Sequence, residues 1–175
     1  MKILYVIIMM LFLGMMSCSE DNLKGYSSSN CIQFDKLSKD STVFSFAYDE
    51  TLESGTVALK LVMISPLVDR DRKYNVKFLQ DESSAQAGVD FEMPAEEQVI
   101  AANDSVAYLN VIVKRNKALK GSAIAVFEVQ VSDDFMPGIE ANRKGRIFIT
   151  NQLTRPGWWN DWHEANGLGT YSDLK

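Results

Sequence analysis

The 175-residue chain carries 18 basic and 23 acidic side chains, a formal net charge of −5, with two cysteines and one histidine. An acidic surface repels a phosphate backbone, which argues against a nucleic-acid partner. A single histidine excludes a two-histidine metal site and the H-E-x-x-H pattern, and the sequence holds no G-x-S-x-G elbow.

The first element is "MKILYVIIMMLFLGMMSC", in which Lys2 precedes an apolar run from Ile3 to Leu13 and small residues lead to Cys18. That is the order of a secretory signal over residues 1–17. The run is shorter than the ~20 apolar residues of a membrane-spanning helix. Ser17-Cys18 resembles the bacterial lipobox, which implies lipidation of Cys18 and the membrane as a partner through an N-terminal lipid. More than one acyl chain makes such an anchor stable. The following "SEDN" resembles the acidic tag of surface-exposed Bacteroidetes lipoproteins, which implies an outer-membrane protein facing the cell exterior. Losing the signal removes only Lys2 among the charges and leaves 17 basic against 23 acidic side chains. The remainder suits one domain of ordinary size. With Cys18 lipidated, Cys31 has no intramolecular disulfide partner, and its place at the head of an apolar run predicts a buried thiol. Residues 18–30, polar and serine-rich, read as a flexible tether.

From Cys31 the pattern turns to short β-branched and aromatic runs: "CIQF", "TVFSFAY", "TVALKLVMI", "KYNVKFLQ", "EQVIAAN", "SVAYLNVIVKR", "SAIAVFEVQVS" and "KGRIFITN". Alternation puts Ala107, Leu109, Val111 and Val113 on one face, opposite Tyr108, Asn110 and Lys114. It likewise groups Ala125, Phe127, Val129 and Val131 against Glu128 and Gln130. Period two marks half-buried antiparallel strands. Turn signals such as "DETLESG", "SPLVDRDR", "ANDS", "NKALKG" and "DDFMPG" separate them. The expected fold over residues 31–152 is all-β: an immunoglobulin-like antiparallel sandwich with Greek-key connections.

"TRPGWW" then breaks the strand pattern, since Pro156-Gly157 cannot extend a central strand. Residues 153–175 read as an irregular tryptophan-rich tail, the start of a second subdomain, with a short helical turn over 160–165. All three tryptophans lie here, Trp158, Trp159 and Trp162, beside the one histidine, His163. Indole faces stack on sugar rings, so these three are the candidate ligand contacts. The competing role is packing, because tryptophans are highly buried on average. Catalysis is not expected. Asp69, Asp71, Asp81, Asp90, Asp104, Asp133 and Asp134 fall in turns, where carboxylates cap backbone N–H groups. Asp71-Arg72 suggests a local ion pair or turn. "DRDRKY" departs from a calcium loop where an oxygen ligand and glycine belong. No metal or cofactor is expected.

Two resemblances enter at this point. Ala85, Gly88, Asp90 and Phe91, followed by "VIAANDSVAYLNVIV", resemble the middle of a Calx-beta-like domain, which implies an immunoglobulin-type sandwich. The acidic residues after the long strand that accompany calcium binding are replaced by "KRNKALKG", so the resemblance carries the fold and not the ion. More of the chain, from the lipid cysteine through "IQFD", "VFSFAY", "GVDFEMP" and "IVKRNKALKG" to "PGWW…LGTYSDLK", resembles an uncharacterised Bacteroidetes lipoprotein family associated with glycan-uptake loci of the starch-utilisation type. Members continue past the motif of Leu168, Gly169, Tyr171, Ser172 and Lys175, which implies a C-terminally truncated version here. The resemblance implies a non-enzymatic surface lipoprotein, an accessory or glycan-binding component of an outer-membrane uptake system, with a polysaccharide and uptake proteins as partners. The alternative is a structural or adhesive protein-interaction module.

Overall fold

The described residues of the computed structural model are 30–35, 42–94, 97–155 and 159–171. Their strands run in chain order as β1 (Cys31–Phe34), β2 (Thr42–Ser45), β3 (Ser54–Ile64), β4 (Arg72–Lys73), β5 (Asn75–Phe78) and β6 (Phe91–Glu92). They continue as β7 (Val99–Ile100), β8 (Val106–Lys114), β9 (Ser122–Gln130), β10 (Met136–Pro137) and β11 (Lys144–Thr150). One sheet has the order β10-β1-β3-β8-β6, and the facing sheet has β2-β11-β9-β5. β4 and β7 make a small separate ribbon. Pairing is antiparallel except at β1-β10 and β2-β11. The chain therefore enters the first sheet at β1 and joins the second at β2. This is an immunoglobulin-like sandwich.

Alternation decides which side chains fill the space between the sheets. Ala107, Leu109, Val111 and Val113 of β8 are buried, while Tyr108 and Ile112 are exposed. Ala125, Phe127 and Val129 of β9 meet them from the other sheet. Phe78, Phe91 and Phe127 pack ring against ring with centroids 4.8–5.9 Å apart. Two glycines set the spacing of the sheets. A Cβ on Gly145 of β11 would stand 2.9 Å from the Phe34 ring, and one on Gly55 of β3 would stand 2.2 Å from the Phe44 ring. Each glycine lets an aromatic ring from another strand lie directly on the backbone.

The structure corrects several details. "KYNVKFLQ" is two strands, because Tyr74 turns its backbone N–H to the Gln98 carbonyl before β5 begins. "TVFSFAY" ends in a turn of 3-10 helix at Phe46–Tyr48, where the Ser45 hydroxyl accepts from the Ala47 N–H. That turn drops Phe46 fully into the core. Val131 lies beyond the end of β9 and is exposed. Cys31 is half-buried and not interior, because it starts β1 on the outer face of its sheet, opposite the core residue Ile32. β6 and β10 were not anticipated. β10 tolerates Pro137 because it is an edge strand, whose ladder bonds come from Met136 and Gly138 on either side.

Candidate functional site

At one end of the sandwich the register brings together the end of β8 and the start of β3, paired at Lys114 and Ser54. The end of β11 lies there too, with Thr150 opposite both Ser45 of β2 and Ser122 of β9. The loops 46–53 and 115–121 and the segment 151–155 therefore gather at this end. Arg115 organises them. Its Nε donates to the Leu52 carbonyl at 2.7 Å, and its Nη2 to the carbonyls of Phe46 at 2.7 Å and Asp49. Its guanidinium lies over the Phe46 ring, 5.0 Å from the centroid.

A polar chain runs inward beside it. The buried Asp90 accepts from the Gln86 N–H at 2.7 Å and from Asn116 Nδ2 at 2.8 Å. The Asn116 carbonyl accepts from Asn151 Nδ2 at 2.7 Å. Asn151 Oδ1 is buried with no donor. Asp90 thus ties the loop 85–90 to 116, and Gly88 at φ +83° provides the left-handed turn that loop needs. Above this network lies a depression of about 570 Å³ lined by Ala47, Glu50, Arg115, Lys117, Asn151, Gln152 and Leu153.

The tail leaves from the rim of that depression. Ser45 Oγ donates to the Gln152 carbonyl at 2.6 Å, and Tyr48 Oη to the Thr154 carbonyl at 2.8 Å. Beyond them, α1 (Asp161–His163) is capped by Asn160, whose Oδ1 accepts from the N–H groups of Trp162 and His163. A wide turn, Glu164–Leu168, follows and ends on Gly169 at φ +66°. Arg155 donates to the Trp159 carbonyl at 2.6 Å and pairs with Glu164 at 3.1 Å. Trp159 Nε1 donates to the Gly169 carbonyl at 3.3 Å, and its ring meets Tyr171 edge-on at 5.4 Å.

The tryptophans therefore take different places. Trp159 is half-buried inside the tail's own fold. Trp162 is 67% exposed, with His163 edge-on to it at 5.0 Å. His163 Nδ1 lies 2.9 Å from Asn160 Oδ1. Trp158 and Cys18 lie outside the described residues.

The opposite end is closed differently. Arg72 is 1% exposed and lies over the Phe135 ring at 5.0 Å. Its Nη1 donates to Ser65 Oγ at 3.1 Å and its Nη2 reaches the Asp104 carbonyl at 3.4 Å, while Nε has no acceptor. Burial pulls this guanidinium below its usual range, and neighbouring Arg70 adds to the effect. Of the two roles open to Asp71-Arg72, a local ion pair or a turn, the ion pair does not form. Instead Asp71 accepts from the Ala102 N–H at 2.9 Å, and the cation that finds a carboxylate is Arg70, 2.6 Å from Asp134. Asp134 also accepts from the Lys73 N–H at 2.9 Å, and Asp104 from the N–H groups of Ser105 and Val106. These carboxylates cap backbone. Among the described residues, no three His, Cys, Asp or Glu side chains gather as a metal ion would need. No helix among them is long and apolar enough to cross a membrane.

Residues 24–175 match the family DUF4843, a domain of unknown function. The chain belongs to that family. No curated protein matches it in sequence. Among solved structures, this DUF4843 chain is similar to the apo form of the Calx CBD1 domain, with a TM-score of 0.52 at 9% identity over 71% of this chain and 98% of that one. It is also similar to a candidate carbohydrate-binding protein from Bacteroides ovatus, with a TM-score of 0.50 at 12% identity over 70% of this chain. The chain spans 37% of that protein's length. At such identities the likeness establishes the shared sandwich. The Calx-beta resemblance read from Ala85, Gly88, Asp90 and Phe91 rests on structural roles: Ala85, Asp90 and Phe91 are buried and Gly88 makes the turn.

Proposed function

We propose that this chain is a non-enzymatic lipoprotein, anchored through Cys18 in the outer membrane and facing outward, that binds glycan as an accessory component of an uptake system. The observation that supports binding is Trp162, an indole 67% exposed on a turn fixed by the Asn160 cap. Asn166 Nδ2 adds a 2.7 Å bond to the Trp162 carbonyl. A large flat apolar face presented to solvent from a braced turn suits stacking on a sugar ring. A non-catalytic role is supported by Asp71, Asp104 and Asp134, whose carboxylates cap backbone N–H groups, and by Glu164, which pairs with Arg155. The Bacteroides ovatus neighbour adds a carbohydrate-binding precedent on a similar sandwich.

Affinity gels cast with a panel of polysaccharides test this reading. Retardation by at least one glycan, reduced by Trp162→Ala and Trp158→Ala, is the expected result. Free migration through every gel would sink it. For the anchor, Cys18→Ala should abolish fatty-acid labelling and release the protein, and continued labelling would refute it.

The alternative, a protein-interaction module, draws on the outer face of the first sheet. There Met136, Cys31 and Ile64 stand in one row of the register, with Met136 and Ile64 exposed. Concentration-dependent self-association, removed by Ile64→Lys, would favour it.

A further inference from the structure

We propose that the depression beside Arg115 is a binding site for a neutral saccharide, gripped through neighbouring hydroxyls. This rests on the glycan reading above and places a second contact at the base of the tail that carries Trp162. The volume of about 570 Å³ falls within the ~300–1,000 Å³ of ligand pockets.

Its lining offers hydrogen bonds in both directions. Arg115 spends Nε and Nη2 on the carbonyls of the 46–53 loop, which leaves Nη1 as the guanidinium nitrogen without a protein acceptor among the described residues. Asn151 lines the same depression, and its Oδ1 has no donor. A donor without an acceptor and an acceptor without a donor meet one complementary group, a hydroxyl, which does both. Asn151 Oδ1 lies just out of reach of solvent, and the broad χ2 well of asparagine lets it turn to the floor. The Gln152 amide adds a donor and an acceptor at the rim, and the Glu50 carboxylate adds acceptors. Ala47 and Leu153 supply apolar surface for the C–H face of a ring.

Charge points to a neutral ligand. Lys117 and Arg115 are offset by Glu50 in the lining, by Asp49 beside Arg115, and by Glu53, 3.3 Å from Lys117. Two cations set against three carboxylates leave an anionic ligand little net attraction. The site is also preorganised. Ser45 holds the Gln152 carbonyl and Arg115 holds the facing loop, while the Asn151 amide exchanges its Asn116 bond for the ligand as it turns. A rigid rim spends little entropy on capture.

The test is an NMR titration of the full 15N-labelled chain with maltotriose, cellotriose, xylotriose and mannotriose, and separately with trigalacturonate. The signals followed are the side-chain amides of Asn151 and Gln152 and the Trp162 indole N–H. At least one neutral trisaccharide should move both amides, and trigalacturonate should bind more weakly. Lys117→Ala and Gln152→Ala alter exposed side chains and preserve the fold, and each should raise Kd about fivefold. Binding that moves the Trp162 indole alone, with both variants unaffected, overturns this site and leaves the glycan reading standing. Tighter binding of trigalacturonate in the depression overturns the neutral class. No response to any sugar overturns both readings.

Discussion

At both ends of the sandwich an arginine lies 5.0 Å over a phenylalanine ring and donates to loop carbonyls. The two ends use that shared device differently. Arg72 is sealed in, with bonds of 3.1–3.4 Å and an orphaned Nε. Arg115 binds its carbonyls more tightly and borders an open depression. A buried cation without a carboxylate partner is a costly way to fill an end, and it persists where removing it leaves both a cavity and bare carbonyls. A half-solvated cation costs less and leaves donors for other molecules. One end is built for closure and the other for contact.

The sharpest way to break that contrast is to truncate both arginines. Arg72→Ala should cost about 3–5 kcal/mol in urea unfolding, from the cavity and the unpaired carbonyls together. Arg72→Met keeps the volume and discards the charge, so it should cost about 1–2 kcal/mol. Arg115→Ala should cost about 1–2 kcal/mol and loosen hydrogen exchange mainly in residues 46–53. Equal losses at the two arginines would erase the distinction between the ends.

Alkaline stability probes the closed end next. Burial raises the Tyr74 hydroxyl to about 12 from its ordinary 10.0. Its stabilising effect is therefore complete below pH 10 and is lost as pH rises through about 12. Over that window stability should fall by about 2 kcal/mol, and Tyr74→Phe should flatten the slope. An unchanged slope would show that the phenol is not sequestered.

Acid gives a smaller effect at the same end. The Arg70 bond, and then the Lys73 N–H, hold Asp134 below the usual carboxylate range. Its contribution is present above pH 3.8, the ordinary value, and is lost as pH falls through the lower folded value. Arg70 is well exposed, so Asp134→Asn should change stability, measured by urea unfolding at neutral and acid pH, by only a few tenths of a kcal/mol.

The smallest global effect belongs beyond the open end. Trp159→Ala should melt the tail's packing and leave the sandwich within about 0.5 kcal/mol, because it removes the indole bond to Gly169 and the ring contact with Tyr171, both inside the tail. Tryptophan fluorescence should shift while far-UV strand signal holds. A large loss of global stability would make the tail part of the core.

The long strands were legible from sequence because each buries one face along its whole length. The alternation of Ala107 to Val113 is the packing of β8. Two-residue strands such as β6 and β10 carry no period, and their place is set by partners distant in the chain, as Phe91 pairs with Val113 and Met136 with Cys31. Phe46 was read as strand because its turn is dictated by the Ser45 cap, a single hydroxyl in a run of aromatics. The exposure of Trp162 against the half-burial of Trp159 depends on a cap and a ring contact, which spacing alone does not order. The depression was invisible. It joins segments near 47, 115 and 151, none with a local motif, and its orphaned amide oxygen exists only once Asn116 has claimed the other half of Asn151.

The parallel pairing of β2 with β11 also governs when the chain can fold. β11 spans Lys144–Thr150 and lies inside its sheet between β2 and β9, yet among the described residues it is the last strand in chain order. Until it emerges, β2 has no neighbour and the second sheet is missing an interior member. A nascent chain of this topology cannot close its second sheet until β11 has emerged, since β2 and β11 join residues about a hundred positions apart.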